Sequence, residues 1–89
     1  MADQVREFAF ITDPAHGWLL VTVGQVTEVG LTPASFSSYS YRLNDVLALE
    51  EDCDAAIFLN AYEAKYDEAP LVRARHLDVD AFVRDWDRI

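Results

Sequence analysis

Apolar and polar positions alternate along the first half of the chain and then change period. Val5 to Thr12 (Val-Arg-Glu-Phe-Ala-Phe-Ile-Thr) is rich in β-formers, which predicts a strand. Asp13-Pro14-Ala15-His16-Gly17 has the chemistry of a turn, because Pro fixes φ and Gly tolerates positive φ. Trp18 to Val23 is a second strand, so the two form a hairpin. Residues 24–30 fit helix or loop: Val26 and Val29 are spaced for a short helical turn that Gly30 would end.

After Thr32-Pro33, residues 36–43 predict a third strand, with Tyr39, Tyr41 and Leu43 on an apolar face and Ser38, Ser40 and Arg42 opposite. Both tyrosines read as core. Asn44-Asp45 makes a turn, and residues 46–51 form a fourth strand with Leu47 and Leu49 inward. The spacing then becomes helical. Asp52 or Asp54 is expected to cap a helix running to about Tyr66, with Ala55, Phe58, Leu59, Tyr62 and Tyr66 as its buried stripe. After the loop Asp67-Glu68-Ala69-Pro70, residues 71–77 predict a fifth strand carrying Arg73 and Arg75 on one face. Asp78 is expected to cap a last helix with the stripe Val79, Phe82, Val83 and Trp86. The fold class is therefore α+β. One domain over residues 1–89 has a mostly antiparallel sheet of four to five strands and two helices packed on one face. Grouping strands before helices disfavours a doubly wound parallel sheet.

Composition narrows this picture. With 89 residues, 52% of them hydrophobic, the chain has material for one core and is too apolar for an acidic disordered tail. Folding should reduce the accessible surface from about 14,600 to about 5,300 Å². No apolar run reaches membrane-spanning length. The charged segment from Met1 to Glu7 lacks the apolar region of a signal peptide. The single cysteine, Cys53, cannot make an internal disulfide, which fits a reducing cytoplasm.

Sixteen acids against seven bases leave a formal net charge of -9, which opposes direct contact with nucleic acid or an anionic membrane. The imbalance is local. Residues 43–71 hold Asp45, Glu50, Glu51, Asp52, Asp54, Glu63, Asp67 and Glu68 against Lys65 alone, eight acids to one base. Residues 72–89 hold four acids and four arginines. Helix capping and the macrodipole explain one or two acids near residue 52, but not those at the far end of the helix. These eight acids are the candidate partner-binding surface. A charge of -7 to -9 equals that of about 12–15 Å of duplex DNA, so one face of the domain could stand in for four to five base pairs.

Other chemistry is sparse. His16, Cys53 and His76 have no zinc-motif spacing, and residues 50–54 lack the spaced ligands and Gly of a calcium loop. Asp52 and Asp54 flank Cys53 and disfavour a thiolate, so Cys53 reads as a buried, inert thiol. No Gly-rich phosphate loop, GxSxG or HExxH is present. No catalytic residue, cofactor or metal is expected. At Asp13-Pro14-Ala15-His16-Gly17-Trp18, turn chemistry favours a structural reading, a packed Trp18 beside a solvated His16, over a contact hot spot.

Three segments together carry a resemblance: Asp13-Pro14-Ala15-His16-Gly17-Trp18-Leu19, Ser38-Tyr39-Ser40-Tyr41, and Leu49-Glu50-Glu51-Asp52-Cys53-Asp54-Ala55 with Phe58. In order and spacing, over residues 8 to about 65, they resemble a group of short proteins encoded by phages, plasmids and integrative elements. The C-terminal third lies outside the resemblance, and no activity is assigned to the group. The resemblance implies a mobile-element protein acting in the cytoplasm of a bacterial host. Small acidic proteins of that class often inhibit host defence, as anti-CRISPR and anti-restriction proteins do. The expected function is thus a DNA-mimicking inhibitor that binds the basic DNA-binding surface of a host protein complex. The alternative is a non-enzymatic interaction module of the mobile element, monomeric or homodimeric along a sheet edge.

Overall fold

A computed structural model describes residues 6–89. The start of the first predicted strand, Val5, and most of the charged segment from Met1 lie outside the described residues. The observed elements are β1 (Glu7–Thr12), β2 (Gly17–Thr22), α1 (Val23–Glu28), β3 (Tyr41–Leu43), β4 (Val46–Glu50), α2 (Asp54–Tyr66), β5 (Leu71–His76) and β6 (Asp87–Arg88), with short 3-10 turns at Pro33–Ser35 and Phe82–Asp85. The six strands form one sheet in the order β5-β1-β2-β4-β3-β6. The sheet is mixed. Its central pairs are antiparallel, with Phe10 opposite Leu19 and Leu19 opposite Leu49. β5 lies parallel to β1, with Glu7 opposite Leu71 and Thr12 opposite His76. The architecture is α+β as expected, with six strands rather than four to five.

Alternation along the central strands sends side chains to two separate cores. Phe8, Leu19, Val21, Leu47 and Leu49 face α1 and α2, where Val26, Ala55, Phe58 and Tyr62 close over them. The helix stripe expected for α2 is the one observed. Phe8 meets Phe58 edge-on at 5.3 Å and Tyr62 at 5.8 Å. On the opposite face Ile11, Trp18 and Ala48 are covered by Ala81 and Val83 of the C-terminal segment. β4 is therefore buried on both faces, which its continuous run from Val46 to Glu50 permits. The accessible surface is 5381 Å² and the radius of gyration 12.6 Å.

One open expectation is settled and three are corrected. The ambiguous residues 24–30 contain α1, whose N-terminus is closed by a capping box between Thr22 and Gln25, and Gly30 follows with φ +86°. The third strand is short; within it Tyr41 packs against the second core as expected, Leu43 is exposed, and the two residues before it are exchanged in burial. Ser40 is fully buried, where its hydroxyl donates to Asp54 and accepts from the Glu50 N–H, while Tyr39 is 65% exposed. Neither Asp52 nor Asp54 caps α2. Cys53 occupies the cap position without a side-chain bond, and it is exposed rather than buried. The last predicted helix is absent: only the 3-10 turn forms, no side chain caps it, and Val79 and Phe82 are exposed. The backbone N–H of Ala81 is instead bound by the Asp13 carboxylate. That long-range bond fixes the segment across the sheet and outweighs its helical periodicity.

Candidate functional site

The β2–β4 ladder decides what meets at one end of the sheet. Trp18 stands opposite Glu50, and one step further the N–H of Glu51 donates to the carbonyl of Gly17 at 3.0 Å. His16 and Glu51 are thereby brought to the same end as β3 and the start of α2. Gly17 is required there. A Cβ at that position would lie 2.8 Å from the Phe10 ring and 3.0 Å from Glu51 Oε1. The hairpin turn is held by Asp13, whose Oδ1 accepts from the N–H groups of Ala15 (3.0 Å) and His16 (2.9 Å).

The same Asp13 anchors the C-terminal segment. Arg84 Nε donates to its Oδ2 at 2.6 Å, and the Ala81 N–H donates to that oxygen at 3.0 Å. Bonding to Arg84 first, and then to these backbone N–H groups, holds the Asp13 carboxyl far below the usual carboxylate range despite burial. In the sequence Asp13 reads only as a turn residue. Its partner, Arg84, lies 71 positions away and leaves no local signal.

Above this turn lies a pocket of about 320 Å³ lined by His16, Trp18, Tyr39, Tyr41, Glu50, Asp52, Cys53, Arg84 and Arg88. The segments Asp13–Leu19, Ser38–Tyr41 and Leu49–Ala55, distant in sequence, each contribute to its walls. Arg84 lies over the Trp18 ring at 5.1 Å and Arg88 over Tyr41 at 5.3 Å. Trp18 is 2% exposed, and its Nε1–H has no acceptor among the described residues. Such an orphan donor is uncommon in a folded interior.

The eight acids singled out in the sequence fall into two kinds. Glu50 and Asp54 are buried, at 8% and 1% exposure, and their carboxylates are occupied. Glu50 Oε1 accepts from the N–H groups of Asp52 and Cys53 and so closes the turn that leads into α2. Asp54 Oδ2 accepts from the Ser37 N–H at 2.9 Å, the Ser37 hydroxyl at 2.7 Å and the buried Ser40 hydroxyl. The remaining six, Asp45, Glu51, Asp52, Glu63, Asp67 and Glu68, are exposed. Each ion pair among the described residues uses an acid elsewhere: Arg6–Glu28, Arg73–Glu7, His76–Asp78 and Arg84–Asp13. The one base of the stretch, Lys65, donates to the Glu28 carbonyl and lies over the Tyr66 ring.

The six are not one continuous row. Glu51 and Asp52 sit before α2; Glu63, Asp67 and Glu68 sit at its end. The thirteen residues of α2 separate these groups by about 18–20 Å. Asp45 lies in the β3–β4 turn, beside Asn44 with φ +53°. Compared with protein-family models, with curated proteins and with solved structures, the chain matches none.

Proposed function

We propose that this protein is a non-enzymatic acidic inhibitor that acts in a bacterial cytoplasm by occupying the basic DNA-binding surface of a host protein complex. The observation that supports this reading is the set of six exposed acids in residues 45–68 with no basic partner among the described residues. An unpaired surface charge of one sign contributes nothing to folding and raises self-repulsion, but it steers association with a surface of opposite sign. The longest dimension, 39 Å, spans about eleven base pairs at 3.4 Å each, so both acid groups fit within one DNA-binding groove. A target would meet two charge clusters about one α2 length apart, comparable with phosphates five to six base pairs apart.

The test is capture from bacterial lysate at low and high salt, with the partner then purified and its DNA binding measured against added inhibitor. Reversals to Lys at Glu51, Asp52, Glu63 and Glu68 should abolish capture and competition without unfolding the domain. Glu50 and Asp54 are excluded from that variant, because a reversal there would break the β4–α2 turn instead of testing the surface. Inhibition that survives the fourfold reversal would reject the reading.

A second reading, an interaction module that pairs through a sheet edge, is favoured by β5. All six of its residues are exposed, Leu71 and Val72 among them, and its outer edge has no strand neighbour among the described residues. Arg73 and Arg75 make antiparallel self-pairing unfavourable, since like charges would oppose each other. Binding by this edge would survive high salt, whereas binding by the acids would not.

A further inference from the structure

The chain spacing of His16, Cys53 and His76 gives no metal motif, but the fold gathers a different set. Across the β2–β4 ladder a side-chain nitrogen of His16 and carboxylate oxygens of Glu50 and Glu51 lie within 4.8 Å of one another. We propose that His16, Glu50 and Glu51 form a binding site for one divalent transition-metal ion of the zinc class, at the mouth of the aromatic pocket.

Each ligand has a physical reason to be where it is. Glu50 is nine-tenths buried and pinned by two backbone N–H groups on Oε1. Its Oε2 has no hydrogen-bond donor among the described residues. A carboxylate oriented by outer hydrogen bonds, with one oxygen left over, is the usual state of a metal ligand. Glu51 leaves the strand as the chain turns, and Gly17, lacking a Cβ, makes room for its carboxylate. His16 is exposed, and its ring makes no hydrogen bond among the described residues, so its nitrogens are available. The backbone around it is fixed by Asp13.

One imidazole and two carboxylates suit zinc and its first-row neighbours better than calcium or magnesium, which take oxygen ligands throughout. Donors bound at about 2.1 Å in a tetrahedron stand roughly 3.4 Å apart. Starting from separations of no more than 4.8 Å, His16 and Glu51, both exposed, need to close by at most about 1.4 Å while Glu50 stays. Two carboxylates balance the charge of the ion. Of the two cations lining the same pocket, Arg84 is neutralised by Asp13, and Arg88 donates to the Ser38 carbonyl beside Tyr41. Three protein ligands leave a coordination position for water or for a molecule held in the pocket. In the same wall Trp18 adds a buried indole N–H with no acceptor among the described residues, a second polar group beside the ligands.

The test is calorimetric titration of Zn²⁺ into the metal-free full chain. One ion should bind per chain. His16→Ala and Glu51→Gln should each weaken binding by at least about 100-fold, the upper end of what losing an outer-shell partner costs, with unchanged urea midpoints. Cys53→Ser and His76→Ala should bind as the parent does. Absence of stoichiometric binding, equal affinity in the His16 and Glu51 variants, or loss on changing Cys53 or His76 would each overturn the site. Glu51 is shared with the acidic surface, so His16→Ala, which leaves every acid in place, separates loss of the metal site from loss of the acidic surface.

Discussion

Single side chains decide how the two faces of the sheet are closed. Asp13 gathers the hairpin turn and the C-terminal segment, and its folded pKa lies below its unfolded one. The group therefore adds stability that is present above the unfolded value, about 3.9, and is lost as pH falls through the acid range. Acid unfolding followed by circular dichroism should show an Asp13→Asn variant less stable at neutral pH and flatter than the parent below about pH 4. Parallel acid profiles would contradict this role. Asp54 makes the matching connection on the other side. Asp54→Ala leaves the Ser37 N–H and two hydroxyls without their acceptor and should cost about 2–3 kcal/mol in urea unfolding. Neither role was legible in the sequence. Asp13 reads as a turn residue and Asp54 as a helix cap, and the distant Arg84 and Ser40 that engage them give no local pattern.

At the scale of elements, legibility followed how locally each one is determined. The stripe of α2 repeats with helical period and is buried as read, because one helix face must cover the core between Phe8 and Leu49. Phe58→Ala should cost about 3–5 kcal/mol in urea unfolding, and a small shift of the midpoint would contradict that packing. The last predicted helix has an equally good stripe in sequence, yet only one 3-10 turn forms, because Val83 and Ala81 are drawn onto the sheet while Phe82 stays exposed. The parallel pairing of β5 with β1 depends on α2 crossing the sheet and on partners 64 residues apart. The acids at the end of α2 oppose the helix dipole. Glu63→Lys should raise stability by about 0.3–1 kcal/mol, so lost binding in such a variant could not be ascribed to unfolding.

For the whole molecule, net charge is the property that links stability to the proposed function. Sequence position marks a stretch of acids that have no basic partner among the described residues, but it does not separate the six exposed members from Glu50 and Asp54, whose burial depends on the β4–α2 turn and on Ser40. With -9 charges on 89 residues, added salt should screen self-repulsion and raise the urea midpoint before any specific ion effect. The same salt should weaken a partner held by the acids. The central claim, that the exposed acids substitute for DNA, is tested most directly by competition. A purified partner bound to a labelled duplex is titrated with the parent protein and with the variant reversed at Glu51, Asp52, Glu63 and Glu68. The parent should displace the duplex, less effectively as salt rises, and the folded variant should not; equal displacement by both proteins would rule out DNA mimicry by these acids.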